Sequence, residues 1–314
     1  MIQKKCMVLL LLVLLLMVGC SEGTQESEEP GYEGDSQGLL YEGTIEGSKI
    51  HIYGGTTPLT EDHYPLAEGV MEAFDQAEVY AETYYHRLYT EAERQESDEM
   101  VAVYTPGEGS MDEDLSEEVF KEMSDIAVQN GVSPQWLSRY KPWAGRNFIL
   151  SMSYKNGPLN YPHGTSDFFS LQVEESDMEI RSLYTLEETA ELHNEIYNQI
   201  PLESQEQMIK ETLEEIKAGY PKEKELVHAW KQGDIEALNA ILEARLNHED
   251  SGVRDYYQRS KNQNQETAKR IEQLVMEENN ESYFFHISVL NTLGEKSLIE
   301  ELGNLGFEFR PVEL

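Results

Sequence analysis

Residues able to do chemistry are thinly spread in this chain. The stretch that asks for a role is Tyr53-Gly54-Gly55-Thr56-Thr57. Lys49 to Tyr53 alternates as a half-buried strand does, with Ile50 and Ile52 on one face and His51 and Tyr53 on the other. A strand that stops at paired glycines and bends into a threonine-bearing loop is a place to hold a ligand. The eight histidines (51, 63, 86, 163, 193, 228, 248 and 286) are scattered, and no two have the close spacing of a metal pair. Only His51 and His286 fall on predicted strands. The sequence contains no GxGxxG, phosphate loop, GxSxG or HExxH.

Both cysteines lie in the first twenty residues. Whatever follows therefore has no thiol nucleophile, no disulfide framework and no Cys-ligated zinc. Lys4 and Lys5 precede an unbroken apolar run, Cys6 to Val18, too short for a spanning helix of about 20 residues and suited to a signal-peptide core. Met17-Val18-Gly19-Cys20-Ser21 resembles a bacterial lipobox. The expectation is a signal peptide over 1–19, lipidation at Cys20, and a chain held at the cell membrane by its lipid on the extracytoplasmic side. An ordinary signal peptide or an uncleaved anchor is the plainer reading. Removing 1–19 deletes two lysines and no acids, taking the formal charge from −36 to −38. That acidity argues against a nucleic-acid partner, because phosphates call for basic patches. It also keeps the domain off anionic headgroups.

These sparse residues need elements to position them. Residues 20–38 are acidic and Gly/Ser-rich, too poor in aliphatics to offset ordering entropy, and read as a disordered tether. A domain of 39–314 follows. "LLYEGTI" and "KIHIYGG" flank Glu46-Gly47-Ser48 as a hairpin. "LAEGVMEAFDQA" reads as a helix, and "EVYAETYY" as a strand carrying Glu82. From about 112 to 278 the pattern is mostly helical. Ser133 and Pro134 open one helix, Pro142 ends or kinks it, and Thr185 with Glu188 makes a capping box. "MEIRSLY" reads as a short strand, and Glu266 with Arg270 as a solvated helix face. "SYFFHISVL" is apolar enough for a strand buried on both faces, "EKSLIEELGNLG" is a helix, and "FEFRPVEL" a last strand. The fold class is α/β, a central sheet built from N- and C-terminal strand segments with a long helical insertion.

The hairpin, the Gly-Gly-Thr-Thr turn, Tyr64-Pro65-Leu66 and "AEVYAE" together resemble the TraB/GumN family, related to Tiki-type metalloproteases. The resemblance continues in order through "SRYKPW" (138–143), "GTSDFF" (164–169), "SLYTLEET" (182–189), "NQNQETAKRI" (262–271) and the terminal strand, loop and helix. It implies a cleft at the strand ends, with a histidine closing each of two Gly-x-x-His loops, a glutamate on the strand between, and a divalent metal. This sequence departs at those positions. The first histidine falls on Thr57, the second on Asn291, the helix arginine on Gln263, the Leu-Glu junction on Tyr184 and the insertion aspartate on Ser166. Glu82 remains.

One carboxylate is a poor divalent-metal site, and alone it makes no acid–base pair. The resemblance therefore implies a degenerate member that binds or sequesters a peptide or small ligand through Gly54, Gly55, Thr57, Glu82 and Asn291, without a cofactor. If it is an enzyme, Glu82 is the catalytic candidate. The alternatives are a metal-dependent peptidase or hydrolase with a variant site, His63 and His286 being the fallback ligands, and a transporter's solute-binding lipoprotein. On the plainest view, Glu82 faces water and Thr57 and Asn291 are ordinary loop residues. The strands ending at Tyr53 and Val289 should lie side by side, bringing Thr57, Glu82 and Asn291 together.

Overall fold

The computed structural model describes residues 35–156, 164–278 and 281–314. The expected signal peptide, Cys20, nearly all of the tether, and His163 lie outside these. Order begins earlier than expected. Ser36 is fully buried, its backbone bonded to Pro65 and Ala67, while the Gln37 and Gly38 amides donate to the carbonyls of Lys231 and Trp230.

Six strands form one sheet in the order β4-β3-β5-β2-β1-β6. They are β1 (Leu39–Ile45), β2 (Ser48–Gly55), β3 (Val79–Glu82), β4 (Glu179–Ser182), β5 (Ser282–Ser288) and β6 (Phe309–Pro311). β1 and β2 pair as the expected hairpin, Ile45 opposite Ser48, with Glu46 at φ 49° and Gly47 at φ 94°. Two left-handed residues are what a two-residue loop needs to match strand twist. β2, β5, β3 and β4 are parallel to one another, so Gly55, Ser288, Glu82 and Ser182 end on one edge. β4 comes from within the insertion, which is thus helical but not wholly so. No described helix is long and apolar enough to cross a membrane.

The two sheet faces are dressed differently. On one, Tyr53, Tyr80 and Phe284 pack with Phe74 of helix Glu68–Asp75 and Phe169 of helix Thr165–Glu174. Their ring centroids lie 4.9 to 6.3 Å apart. On the other, Ile50, Ile52, Tyr283, Phe285 and Ile287 are buried in the same core as Ala268 and Ile271 of the long helix Ser251–Glu278. The insertion has a core of its own around Met111, Val119, Met123, Leu137, Ile149 and Leu213.

Two expectations about the insertion need correcting. The helix opened at Pro134 ends at Leu137, and Pro142 does not kink it but opens a new one, Pro142–Asn156, at the first turn, where its missing N–H costs nothing. Arg270 is not simply on a solvated face. It reaches Glu266 at 3.3 Å, Glu188 at 2.9 Å and the Leu183 carbonyl at 2.9 Å, and its guanidinium sits 4.1 Å from the Tyr184 ring centroid. One side chain thus ties the long helix to the capping box at Thr185–Glu188.

Trp230, fully buried on helix Pro221–Lys231, anchors the end of β2 by donating from Nε1 to the Gly54 carbonyl at 2.9 Å. Trp230→Phe leaves that buried carbonyl without its donor. We expect a loss of about 1–3 kcal/mol of unfolding free energy, read as a lower urea midpoint at unchanged slope.

Candidate functional site

The parallel register decides which side chains meet. Glu82 on β3 and Tyr53 on β2 both stand opposite His286 on β5, so carboxyl, imidazole and phenol share one row across the sheet. Two residues back along β3, Tyr80 points to the same face, as strand alternation requires. Its hydroxyl donates to Glu82 Oε1. Ser166 Oγ donates to the same oxygen at 2.8 Å, and His286 Nδ1 lies 3.5 Å from it.

The third contributor is the start of helix Thr165–Glu174. Thr165 Oγ1 is 2.8 Å from His286 Nε2 and accepts from the Thr56 amide at 3.0 Å, while the Thr165 amide donates to the Thr56 carbonyl at 3.1 Å. Close approach of this segment to the loop after β2 depends on two glycines. A Cβ on Gly55 would come within 2.2 Å of both His286 Nε2 and Thr165 Oγ1, and one on Gly164 within 1.8 Å of Thr57 Oγ1.

Burial governs the electrostatics. Glu82, 5 % exposed, has its carboxyl raised from the ordinary 4.5 to about 7. Burial outweighs the two hydroxyl donors, and Asp167 pushes in the same direction as burial. Burial lowers His286 from 6.5 to about 4, so its imidazole is neutral near neutral pH. The two protonation choices are linked. If Thr165 donates to Nε2, then Nδ1–H faces an ionised Glu82. If Thr165 instead donates to the Thr56 carbonyl at 3.2 Å, then Nε2–H donates to Thr165 and Nδ1 faces a protonated Glu82.

Beside this row lies a cavity of about 380 Å³. Its strand-end side is Gly55, Thr56, Thr57, His286, Ser288, Val289 and Leu290. The helical insertion supplies Leu150 and Tyr154 from helix Pro142–Asn156, Glu223 and Leu226 from Pro221–Lys231, and Arg245 from Ile235–Leu246.

The sequence-chosen residues fall out unevenly. Gly55 and Thr57 line the cavity, and Glu82 is linked to Thr57 through the 164–166 segment. Gly54 faces inward, with Val289 and Thr292 about the space a Cβ would fill. Asn291 does not join them. The lining stops at Leu290, and the Asn291 carbonyl is instead held by Asn264 Nδ2 at 3.2 Å. His286 is in the site. His63 is outside it, closing its own turn with Nδ1 2.7 Å from Thr60 Oγ1. His51 is buried within β2, opposite Glu42 and Phe284.

Sequence reasoning missed Thr165, Tyr80, Glu223 and Arg245. Only Tyr80 had a usable signal, its i, i+2 spacing from Glu82 on one strand. It missed as well Lys261 and Asn264 of the long helix. Lys261 Nζ donates to the Leu293 carbonyl at 2.6 Å, and Asn264 Nδ2 to Lys296 at 2.8 Å as well as to Asn291, fixing the loop after β5.

A family model described as the TraB/PrgY/gumN family matches residues 39–311. The chain belongs to that family. No curated protein and no solved structure matches it. The metalloprotease relationship of TraB/GumN proteins implies a divalent metal, and the donors here do not fit one. Among the described residues no three His, Cys, Asp or Glu side chains converge. Of the two that meet, Glu82 accepts from Tyr80 and Ser166 and His286 pairs with Thr165. Tight binding of such an ion needs three or four convergent ligands.

The raised Glu82 carboxyl binds more protons folded than unfolded between pH 4.5 and 7. Its stabilising contribution is therefore complete below about 4.5 and lost as pH rises through about 7. His286 runs the other way, its penalty being relieved as pH rises from about 4 to 6.5. Glu82→Gln keeps an oxygen for Tyr80 and Ser166 and removes only the titration. We expect the variant to gain on the wild type by about 2–3 kcal/mol between pH 4.5 and pH 8, measured by urea unfolding at both.

Proposed function

We propose that this domain is a ligand-binding member of the TraB/PrgY/gumN family, taking up a peptide or small ligand in the cavity at the strand ends without metal-dependent hydrolysis. The observation that carries this is the occupation of Glu82 and His286 by hydroxyls of the protein itself. Tyr80 and Ser166 donate to the one, and Thr165 pairs with the other. A metal ligand set would leave those lone pairs convergent and free.

The order Thr165–His286–Glu82 has the look of a hydroxyl–imidazole–carboxylate nucleophile. Thr165 is fully buried, however, and its Oγ1 is committed to Thr56 as well as to His286. A nucleophile must reach its substrate, so we read this chain as the rigid floor of a binding site. A transporter's solute-binding lipoprotein would carry two βα lobes; this domain has one six-stranded sheet.

Metal supplementation tests the reading. Zinc, manganese and cobalt, added singly to the purified protein, are expected to leave its melting temperature unchanged and to elicit no peptide cleavage. A rise of several degrees with any of them, or metal-dependent cleavage, overturns it, since a ligand specific for the folded form stabilises it.

We propose further that the protein is lipid-anchored through Cys20, on the strength of the short apolar run and the lipobox-like Gly19-Cys20-Ser21. Labelled palmitate is expected to enter the wild type and not Cys20→Ala. Equal labelling removes the anchor.

A further inference from the structure

We infer that the ligand is a small zwitterion with an aliphatic body, its carboxylate taken by Arg245 and its ammonium by Glu223. This rests on the ligand-binding reading above. Arg245 stands in the last turn of helix Ile235–Leu246 and Glu223 in the first turn of helix Pro221–Lys231, and both line the cavity. The charged groups approach each other only to 4.0 Å, outside hydrogen-bond range, with 28 % and 22 % of their side chains exposed. Among the described residues neither charged head makes a side-chain hydrogen bond. The guanidinium carbon also stands 5.9 Å from the centroid of the Tyr257 ring.

An opposite pair drawn largely out of water without hydrogen bonds is a poor stabilising device, because desolvation outweighs attraction at that separation. Burial accordingly raises the Glu223 carboxyl, and Glu215 nearby adds to the effect, while Arg245 and Arg146 oppose it. Such a pair is suited to receive complementary groups from a ligand. Lone anions would satisfy Arg245 and set a second negative charge near Glu223; lone cations would do the reverse to Arg245. A molecule carrying both groups satisfies both. The chain has 24 basic residues against 60 acidic ones, and Arg245 is the one guanidinium or ammonium among the described lining residues. Leu150, Leu226, Val289 and Leu290 offer aliphatic contact to the rest of the molecule, and about 380 Å³ limits it to amino-acid or dipeptide size.

The test is calorimetric titration of the purified full chain with L-leucine, L-leucyl-L-leucine, L-leucinamide and 4-methylpentanoate. We expect at least one of the two zwitterions to bind saturably, and the amide and the acid, each lacking one charge, to bind at least tenfold more weakly. Arg245→Gln and Arg245→Lys should each weaken the zwitterion tenfold or more, the lysine showing that a bare charge does not replace the planar fork. Glu223→Gln should weaken the zwitterion while leaving 4-methylpentanoate unchanged or tighter.

Equal affinity for the zwitterion and its singly charged analogues overturns the inference. So does wild-type affinity in Arg245 variants that melt as the wild type does, or no binding by either zwitterion. If L-leucinamide or 4-methylpentanoate alone binds, and Leu290→Trp abolishes it by filling the cavity, the ligand-binding reading stands while the zwitterion falls. If Leu290→Trp leaves all binding intact, the cavity itself is the wrong site.

Discussion

A carboxyl buried at the end of a parallel strand is the constraint on which the rest of this site depends. Glu82 ends β3 with its neighbours β4 and β5 paired on both sides, so it cannot turn to water. A buried carboxyl without donors is costly, and its two donors come from separate places in the chain. Tyr80 lies on the same strand and Ser166 at the start of a helix, while His286 Nδ1 on the next strand stands 3.5 Å away. Meeting that requirement draws the 164–166 segment down onto the loop after β2. Gly55 and Gly164 exist as glycines in this structure because nothing larger fits between those pieces.

The opposite side of the site is held by a different device. The long helix Ser251–Glu278 turns buried polar residues, Lys261, Asn264 and Thr267, toward its neighbours. Lys261, its ammonium lowered to about 8 by burial, and Asn264 cap carbonyls of the turn after β5 that has no strand partner of its own. Backbone carbonyls left at a strand end need donors as surely as side chains do. The helix supplies them without adding any group to the cavity.

Much of the frame was legible in the sequence because it is written in local chemistry. Hydrophobic alternation marked β2, the Glu46-Gly47 loop marked the hairpin, and the Thr185 and Glu188 side chains marked a helix start. The site was legible only in part. Matching motifs by position set the missing imidazole at Thr57 and Asn291, whereas the imidazole present arrives from inside β5, two residues before its end. Its pairing with Glu82 joins residues some two hundred positions apart. Register of that kind is settled by the burial of whole strands, which no local pattern reports. The same holds for Arg245 and Glu223, which on their own helices look like ordinary solvated charges.

These particulars explain why charge at the cavity comes from the insertion and not from the sheet. At the strand ends the imidazole is neutral, the carboxyl is partly protonated near neutral pH, and the rest is hydroxyl, backbone and the aliphatic Val289 and Leu290. Such a floor hydrogen-bonds but exerts little net field. Glu223 and Arg245 stand on helices Pro221–Lys231 and Ile235–Leu246, which pack against the sheet through Trp230 and Leu242. The sheet thus fixes where the cavity is, and the helices fix what charge it presents. Among the described residues, Glu223 and Arg245 make no contact with the buried row, whereas changes at Glu82 or His286 act first on stability. Division of labour of this kind separates the groups that hold the fold from the charges at the cavity within one small site.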